Sequence, residues 1–444
     1  MYNGEFSKAA GDIAMRGLIG IRKEDKNIWE RRVPLIPVHV QELKEKFNIE
    51  TIVEPFERRA FSDSEYISAG AELNSDLSKA PIIFAVKEIP IRLLQENKTY
   101  IFFSHTIKAQ EYNMPLLKKL MDLKCTLIDY ETMTNDAGKR VVFFGRYAGY
   151  AGMIDALNGL GIRLEHLGIK NKFREVKPAF EYTDLNDAKE HIKAIGEKIA
   201  AEGLPQAVKP LIFGFAGYGN VSQGAQEIFD LLPYEEIEPE QLAGLTEEEN
   251  KIFKVVFKEK DMVKHKDGKK FELMDYYNHP ENYVADFEKY LDKVDVLVNA
   301  IYWDDRYPIF ISKKYLRQNK ENLRLKIIAD ITCDIDGAIE TTYKSTPSDN
   351  PAYVYDPFTD QFKDGYEGRG VVDIAVDNLP AEMPKDSSIG FSTALSPFVP
   401  GIVNADMSGN FDYANFPAEI KRAVIVYKGE LTPEYAYLKE YLPE

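Results

Sequence analysis

In the first third of the chain, ionisable side chains stand directly after apolar runs. Lys87 and Glu88 follow residues 82–86, His105 stands two residues past 101–103, and Glu131 follows 126–130. A histidine suits proton transfer near neutral pH. A lysine can share that work once burial or a neighbouring cation lowers its pKa. Taken singly, each reads as readily as a solvated loop charge. As a set at the carboxyl ends of strands, they fall where open α/β sheets bind ligands.

A second chemistry is written in PLIFGFAGYGNVSQGAQEIF, residues 210–229. The pattern predicts a buried strand over 211–215, a glycine turn and a helix over 221–229. In such a unit Gly217 allows the tight turn and Gly219 lets the backbone approach a pyrophosphate. The first helical amides, at Asn220, Val221 and Ser222, then hold the phosphate charge. Ser222 occupies the third slot of the glycine pattern, where Gly or Ala would give close helix packing, and a chance glycine turn is the rival reading. About 20 residues on, Glu235, Glu236 and Glu238 are candidates for an acid on the ribose, and Glu238, nearest the end of the strand predicted at 234–237, is the choice.

The elements that would position these groups alternate. Strands are expected over 18–21, 51–53, 82–86, 101–103, 126–128 and 141–144, and helices over 37–47, 64–69 and 110–123. Strand and helix in alternation imply a mostly parallel sheet covered on both faces, and 444 residues imply two domains. Helices are expected over 147–164 and 183–202. The charged stretch 246–270 reads as a solvated excursion, with Lys264, Lys266 or Lys269 as alternative contacts for a 2′-phosphate. Strands resume over 294–298, leading to Asn299, and over 325–329, leading to Asp330, Asp334 and Asp336. These three carboxylates lack the spacing of a calcium loop, so no metal is expected. A last apolar run ends at Asp377 and Asn378, and residues 393–442 supply helices and a strand over 423–427.

The net charge of −16 argues against nucleic acid and anionic membranes as partners. No apolar run approaches the length of a membrane span. The amino terminus lacks a long apolar core, and its Glu5 and Asp12 argue against a transit peptide. Cys125 and Cys333 form no metal or disulfide framework, so the expected location is cytoplasmic.

Four stretches occur together and in order ahead of the glycine turn: IGIRKEDKNIWERRVPLIP, AVKEIP, FFSHTIKAQ and GKRVVFFGRYAGYAGM. With GNVSQGAQ, NAIYW and VDNLPAEMP beyond it, they resemble the lysine–2-oxoglutarate reductases, the saccharopine-forming branch of the saccharopine dehydrogenase and alanine dehydrogenase family. The resemblance implies two doubly wound, Rossmann-like α/β domains facing a cleft. A substrate domain of residues 1–145 and 384–444 would be interrupted by a dinucleotide-binding domain of residues 146–383. It implies Lys87 and His105 as the proton-transfer pair and Asp334 as an acid from the nucleotide domain. Arg32, with Arg31 beside it, would bind a substrate carboxylate. Glu88 and Glu131 would tune the pair or bind the amine, Arg140 would stand at the domain junction, and Asn378 would lie beside the nicotinamide. Lys87 has two open roles, as a proton shuttle of lowered pKa or as a cation that orients the keto group. The implied reaction condenses lysine with 2-oxoglutarate and reduces the imine to saccharopine, or runs in reverse. The implied cofactor is NADP or NAD: family practice favours NADP, the acids at 235–238 favour NAD. A saccharopine dehydrogenase half follows this reductase in animals and plants, so a separate enzyme is expected to take the product. The rival readings are an alanine dehydrogenase-like or other imine reductase and a non-catalytic nucleotide-binding relative.

Overall fold

Short apolar runs separated by amphipathic segments fold into two compact units. The computed structural model describes residues 17–246 and 250–443. The expectation of no leader rests on residues 1–16 and lies outside the described residues. One unit comprises Met1–Phe143 and Ser388–Glu444, the other Phe144–Ser387.

In the first unit, strands β1 (Gly17–Ile21), β2 (Ile49–Val53), β3 (Glu72–Leu73), β4 (Ile82–Phe84), β5 (Thr99–Phe102) and β6 (Thr126–Asp129) pair in parallel in the order β6-β5-β4-β1-β2-β3. Strands β17 (Val424–Tyr427) and β18 (Glu430–Leu431) extend the β6 edge, β17 antiparallel to it. Helices α1 (Pro37–Phe47), α2 (Asp63–Ser68) and α3 (Met114–Asp122) connect the strands. Local chemistry sets their ends. Pro37 opens α1 and Asn48, left-handed at φ 54°, closes it, while Ser62 and Glu65 form a capping box on α2. The helix expected over 110–123 is a 3₁₀ turn, Glu111–Asn113, followed by α3.

The second unit opens with α4 (Gly145–His166), buried on nearly all sides, and α5 (Leu185–Glu202). Its sheet contains β7 (Leu211–Ala216), β8 (Tyr234–Ile237), β9 (Ile252–Phe257), β12 (Val296–Asn299), β13 (Ile327–Asp330), β14 (Ala352–Asp356), β15 (Gln361–Asp364) and β16 (Val371–Ile374), in the order β15-β14-β16-β13-β12-β7-β9-β8. Helix α6 (Asn220–Phe229) follows β7, and a hairpin of β10 (Val263–His265) and β11 (Tyr283–Ala285) follows β9. Both units are thus parallel-dominated α/β sheets.

Two expectations fail. Residues 141–144 form no strand: Val141 donates to the Met133 carbonyl at 2.9 Å, and the run leads straight into α4, with Val142 buried and Phe143 partly exposed. Nor is 246–270 a solvated excursion. Its residues Ile252–Phe257 are β9, which lies between β7 and β8. Lys254 interrupts that apolar run yet is 3 % exposed, because its Nζ reaches Asp230 at 2.8 Å and Glu236 at 3.4 Å. Among the described residues, no helix is long and apolar enough to cross a membrane.

Candidate functional site

Strands β6, β5, β4 and β1 are consecutive neighbours and run parallel, so their carboxyl ends share one edge of the first sheet. Glu131 follows β6, His105 follows β5, Lys87 and Glu88 follow β4, and Glu24 follows β1. Two carboxylates lock neighbouring ends together. Glu24, 3 % exposed, accepts the Val86 amide at 2.6 Å and the Lys87 amide at 3.0 Å. Asp129, fully buried, accepts the Ser104 amide at 2.9 Å, the Ser104 hydroxyl and the Glu131 amide at 2.7 Å. Burial, then Glu30, holds the Glu24 carboxyl above its usual range despite the two amide donors. Burial pushes Asp129 up to about 6, against the pull of Ser104 and the Glu131 amide.

His105 and Glu88 form a short polar contact at this edge, with Nδ1 2.5 Å from Oε1. The Lys26 Nζ lies 3.1 Å from the other Glu88 oxygen. Burial raises the Glu88 carboxyl, but the His105 hydrogen bond and charge, with Lys26, outweigh it and take the group down to about 2. Glu88 is therefore an anion at neutral pH. His105 has a left-handed backbone, φ 52°, a conformation uncommon for a residue with a side chain and frequent at functional turns. The Asn113 amide holds its carbonyl at 3.0 Å. Burial, with repulsion from Arg32, lowers the Lys87 pKa, against the attraction of Glu30.

The three arginines expected at the substrate, Arg31, Arg32 and Arg140, are engaged. Arg32, 2 % exposed, grips the fully buried Glu30 through Nε at 2.8 Å and an NH2 nitrogen at 2.5 Å, a bidentate pair whose breakage would strand a buried charge. Arg31 is exposed and donates from Nε to the Arg58 carbonyl at 2.9 Å. Arg140 pairs with Glu131 at 2.6 Å. Sequence reasoning missed Glu24, Glu30 and Asp129, whose acidic types alone do not distinguish a buried clamp from a loop charge.

In the second unit, β7 is followed by Gly217, whose φ of 94° is glycine territory. A Cβ there would lie 3.0 Å from the Ala300 carbonyl oxygen. Over Gly219 a Cβ would meet nothing within 4 Å, which leaves room above the turn. No side chain caps α6, and its first turn contains no acid, so the amides of Asn220, Val221 and Ser222 form an anion-ready helix start. This arrangement fits a dinucleotide pyrophosphate. Close helix packing comes from Gly149 on α4 and Gly224 on α6 rather than from the third slot. A Cβ on Gly149 would overlap the Val221 carbonyl and lie 2.7 Å from the Ala225 nitrogen, and one on Gly224 would overlap the Arg146 carbonyl. Ser222 is buried and accepts from Gln226 at 2.9 Å.

Asn299, at the end of β12, donates to Asp330 at 2.8 Å and to Thr332 at 3.0 Å. Asp330 also accepts the Thr342 hydroxyl at 2.6 Å. These bonds hold the loop that contains Asp334, whose carbonyl accepts the Gly337 amide at 3.0 Å. Asn378 precedes the turn Leu379–Glu382 and accepts the Ala381 amide at 2.8 Å. Glu238 is not brought to the glycine turn. It caps the 3₁₀ turn Pro239–Gly244 at the end of an edge strand, and β9 stands between that strand and β7. The acid that does reach the turn is Glu259, two residues beyond β9. With Gly217, Tyr218, Gly219 and Tyr277 it lines a cavity of about 330 Å³.

Comparison with known proteins matches residues 20–151 to the alanine dehydrogenase/PNT N-terminal domain and residues 281–434 to its C-terminal domain. The alpha-aminoadipic semialdehyde synthase of Arabidopsis thaliana is 41% identical over 95% of this chain and 41% of its own length. The chain thus spans about two fifths of that relative. A saccharopine dehydrogenase [NAD(+), L-lysine-forming] of Emericella nidulans is 26% identical over 85% of this chain and 90% of its own. Among solved structures, an L-alanine dehydrogenase superposes with a TM-score of 0.62 at 20% identity, covering 96% of this chain and 100% of that one, which shows a common fold.

Proposed function

The chain belongs to the alanine dehydrogenase/PNT family, and from that premise we propose that it is a nicotinamide-dependent oxidoreductase that joins the ε-amine of lysine to 2-oxoglutarate and reduces the imine to saccharopine. The observation that carries the reading is the 2.5 Å His105–Glu88 pair beside a lysine of lowered pKa. Names of relatives supply the substrate class: an alpha-aminoadipic semialdehyde synthase and a lysine-forming saccharopine dehydrogenase.

The amine must lose a proton to attack the ketone, and the carbinolamine must then lose water, so two proton-transfer groups are needed. His105, held by the Glu88 anion, serves as one. Lys87, biased by burial toward the neutral amine, serves as the other. Arg31 is assigned to a substrate carboxylate, as is Arg32 once it gives up its bond to Glu30, and Glu131, paired with Arg140, to the substrate amine, with Asp334 as a further acid of the reaction. Gly217, Gly219 and the amides of Asn220, Val221 and Ser222 would hold the dinucleotide pyrophosphate, with Asn299 and Asn378 supporting the loops near the nicotinamide. When bound, the nicotinamide supplies the hydride that reduces the imine carbon. Saccharopine would then serve a saccharopine dehydrogenase.

The test is oxidation of NADH or NADPH by the purified protein with 2-oxoglutarate, with and without lysine, and separately with pyruvate and ammonia. Turnover that requires both lysine and 2-oxoglutarate is the expected result. Turnover with pyruvate and ammonia alone would move the chain to an alanine dehydrogenase-like activity, and silence in both would refute the reading.

A further inference from the structure

Strand order, not distance along the chain, decides which acid faces the adenosine ribose. In a dinucleotide fold this acid follows the strand beside the one that enters the glycine turn. Here that neighbour is β9. The Gly217 amide donates to the carbonyl of Phe257, its last residue, at 3.0 Å, so the turn and the end of β9 are tied together. Glu259 comes next but one.

The Glu259 carboxylate is held from two sides. Tyr277 donates to Oε1 at 2.6 Å, and the Tyr218 hydroxyl lies 3.1 Å from Oε2. A carboxylate has about four acceptor sites, so a further donor can be taken. Tyr276, Tyr302 and Tyr307 also line the cavity, and their rings suit a flat heteroaromatic base. Among the residues lining it, Glu259 is the only charged one. Of the three lysines that are alternative 2′-phosphate contacts, Lys264 is turned to Asp286 at 2.8 Å and Lys269 to Asp267 at 3.5 Å, and Lys266 is not among the residues lining the cavity.

We propose that Glu259 selects the unphosphorylated dinucleotide, accepting the 2′-hydroxyl of the adenosine ribose and repelling a 2′-phosphate, so that this chain binds NADH in preference to NADPH. The proposal rests on the nicotinamide reading of the glycine turn. A ribose hydroxyl has a proton to give this acceptor. A phosphate ester, with a charge of about −1.5 to −2 at neutral pH, brings mainly acceptors and meets no cation in the lining.

Binding, rather than turnover, tests it. NADH and NADPH are titrated separately into the wild-type protein and into Glu259→Ser and Glu259→Gln, following reduced-nicotinamide fluorescence. The wild type is expected to bind NADH about 100-fold more tightly than NADPH. Glu259→Ser should weaken NADH by roughly 10-fold and bring the two affinities close together, because a charged hydrogen bond and a repulsion are both removed. Glu259→Gln, of the same shape, should recover NADPH binding without the charge. Equal or tighter NADPH binding by the wild type would overturn the proposal and leave the dinucleotide reading standing. Binding of neither nucleotide would overturn both.

Discussion

Replacing Gly149 by alanine sets two calculable effects against each other. In an exposed helix the change gains about 1 kcal/mol of helix propensity. At this position the new methyl would overlap the Val221 carbonyl, lie 2.7 Å from the Ala225 nitrogen and 3.0 Å from the Gly224 Cα. All three are backbone atoms of α6, so no side chain can swing aside. Ordinary contact needs about 3.5 Å, so α6 must retreat by roughly 1 Å from α4. Overpacking of this kind costs about 1–3 kcal/mol, and clashes confined to backbone belong at the upper end. The net loss is about 2 kcal/mol, or roughly 4–8 °C in the melting midpoint of a unit of this size. Because α6 begins at the glycine turn, nucleotide affinity should fall as well. Gly219→Ala separates the two effects. Its Cβ meets nothing within 4 Å and its φ is −75°, so the midpoint should move little, while the methyl occupies the room assigned to the pyrophosphate and weakens nucleotide binding by ~10-fold or more. The assay is differential scanning calorimetry with a parallel nucleotide titration. A Gly149→Ala protein that melts at or above the wild type would refute the claim that α6 is pinned against α4. Unchanged nucleotide affinity in Gly219→Ala would remove Gly219 from the phosphate cradle.

His105→Gln should keep nucleotide binding and lower the turnover of the lysine and 2-oxoglutarate reaction by ~10² or more; near-normal turnover in steady-state assays would take His105 out of proton transfer. Asp373→Asn should flatten the dependence of stability on pH. Asp373 is fully buried and burial pushes its carboxyl up to about 8 from an ordinary value of 3.8, so the native state holds a proton that the unfolded chain releases. The stability this contributes is complete below pH 4 and is lost as pH rises from 4 through 8. Between pH 5 and 8.5 the wild-type melting midpoint should therefore drop further than that of the variant, and parallel profiles would show that the carboxyl is not protonated in the fold.

Continuous apolar runs were the legible part of the fold. Leu211–Ala216 and Thr126–Asp129 are buried along their whole length and read as strands at sight. Residues 141–144 look the same on paper, yet no neighbouring strand takes their hydrogen bonds into a sheet, and local sequence does not encode partners. Strand β9 was hidden for the opposite reason. Lys254 breaks the run, and only the fold shows Asp230 and Glu236 arriving to neutralise it. Around the candidate site, Lys87 and His105 stood out because they follow recognisable strands. Glu24, Glu30 and Asp129 did not, since burial and the amides they accept are properties of the folded state. Glu259 sits inside a charged stretch, and a count of about 20 residues from the glycines leads instead to Glu238, which follows a strand that β9 separates from β7.

The place of β9 also constrains the order in which the second unit can assemble. Strand β8 is made before β9 but pairs with it alone in the sheet. When β7, α6 and β8 have left the ribosome, β8 has no edge to join: the position beside β7 belongs to a strand still to come. The charged stretch between them must be closed as a loop before either pairing is gained, and such non-local parallel pairings form slowly. Until residue 257 arrives, the β7 edge that β9 takes stays open and β8 unpaired, so through this interval of synthesis the nascent chain is exposed to strand capture by another chain.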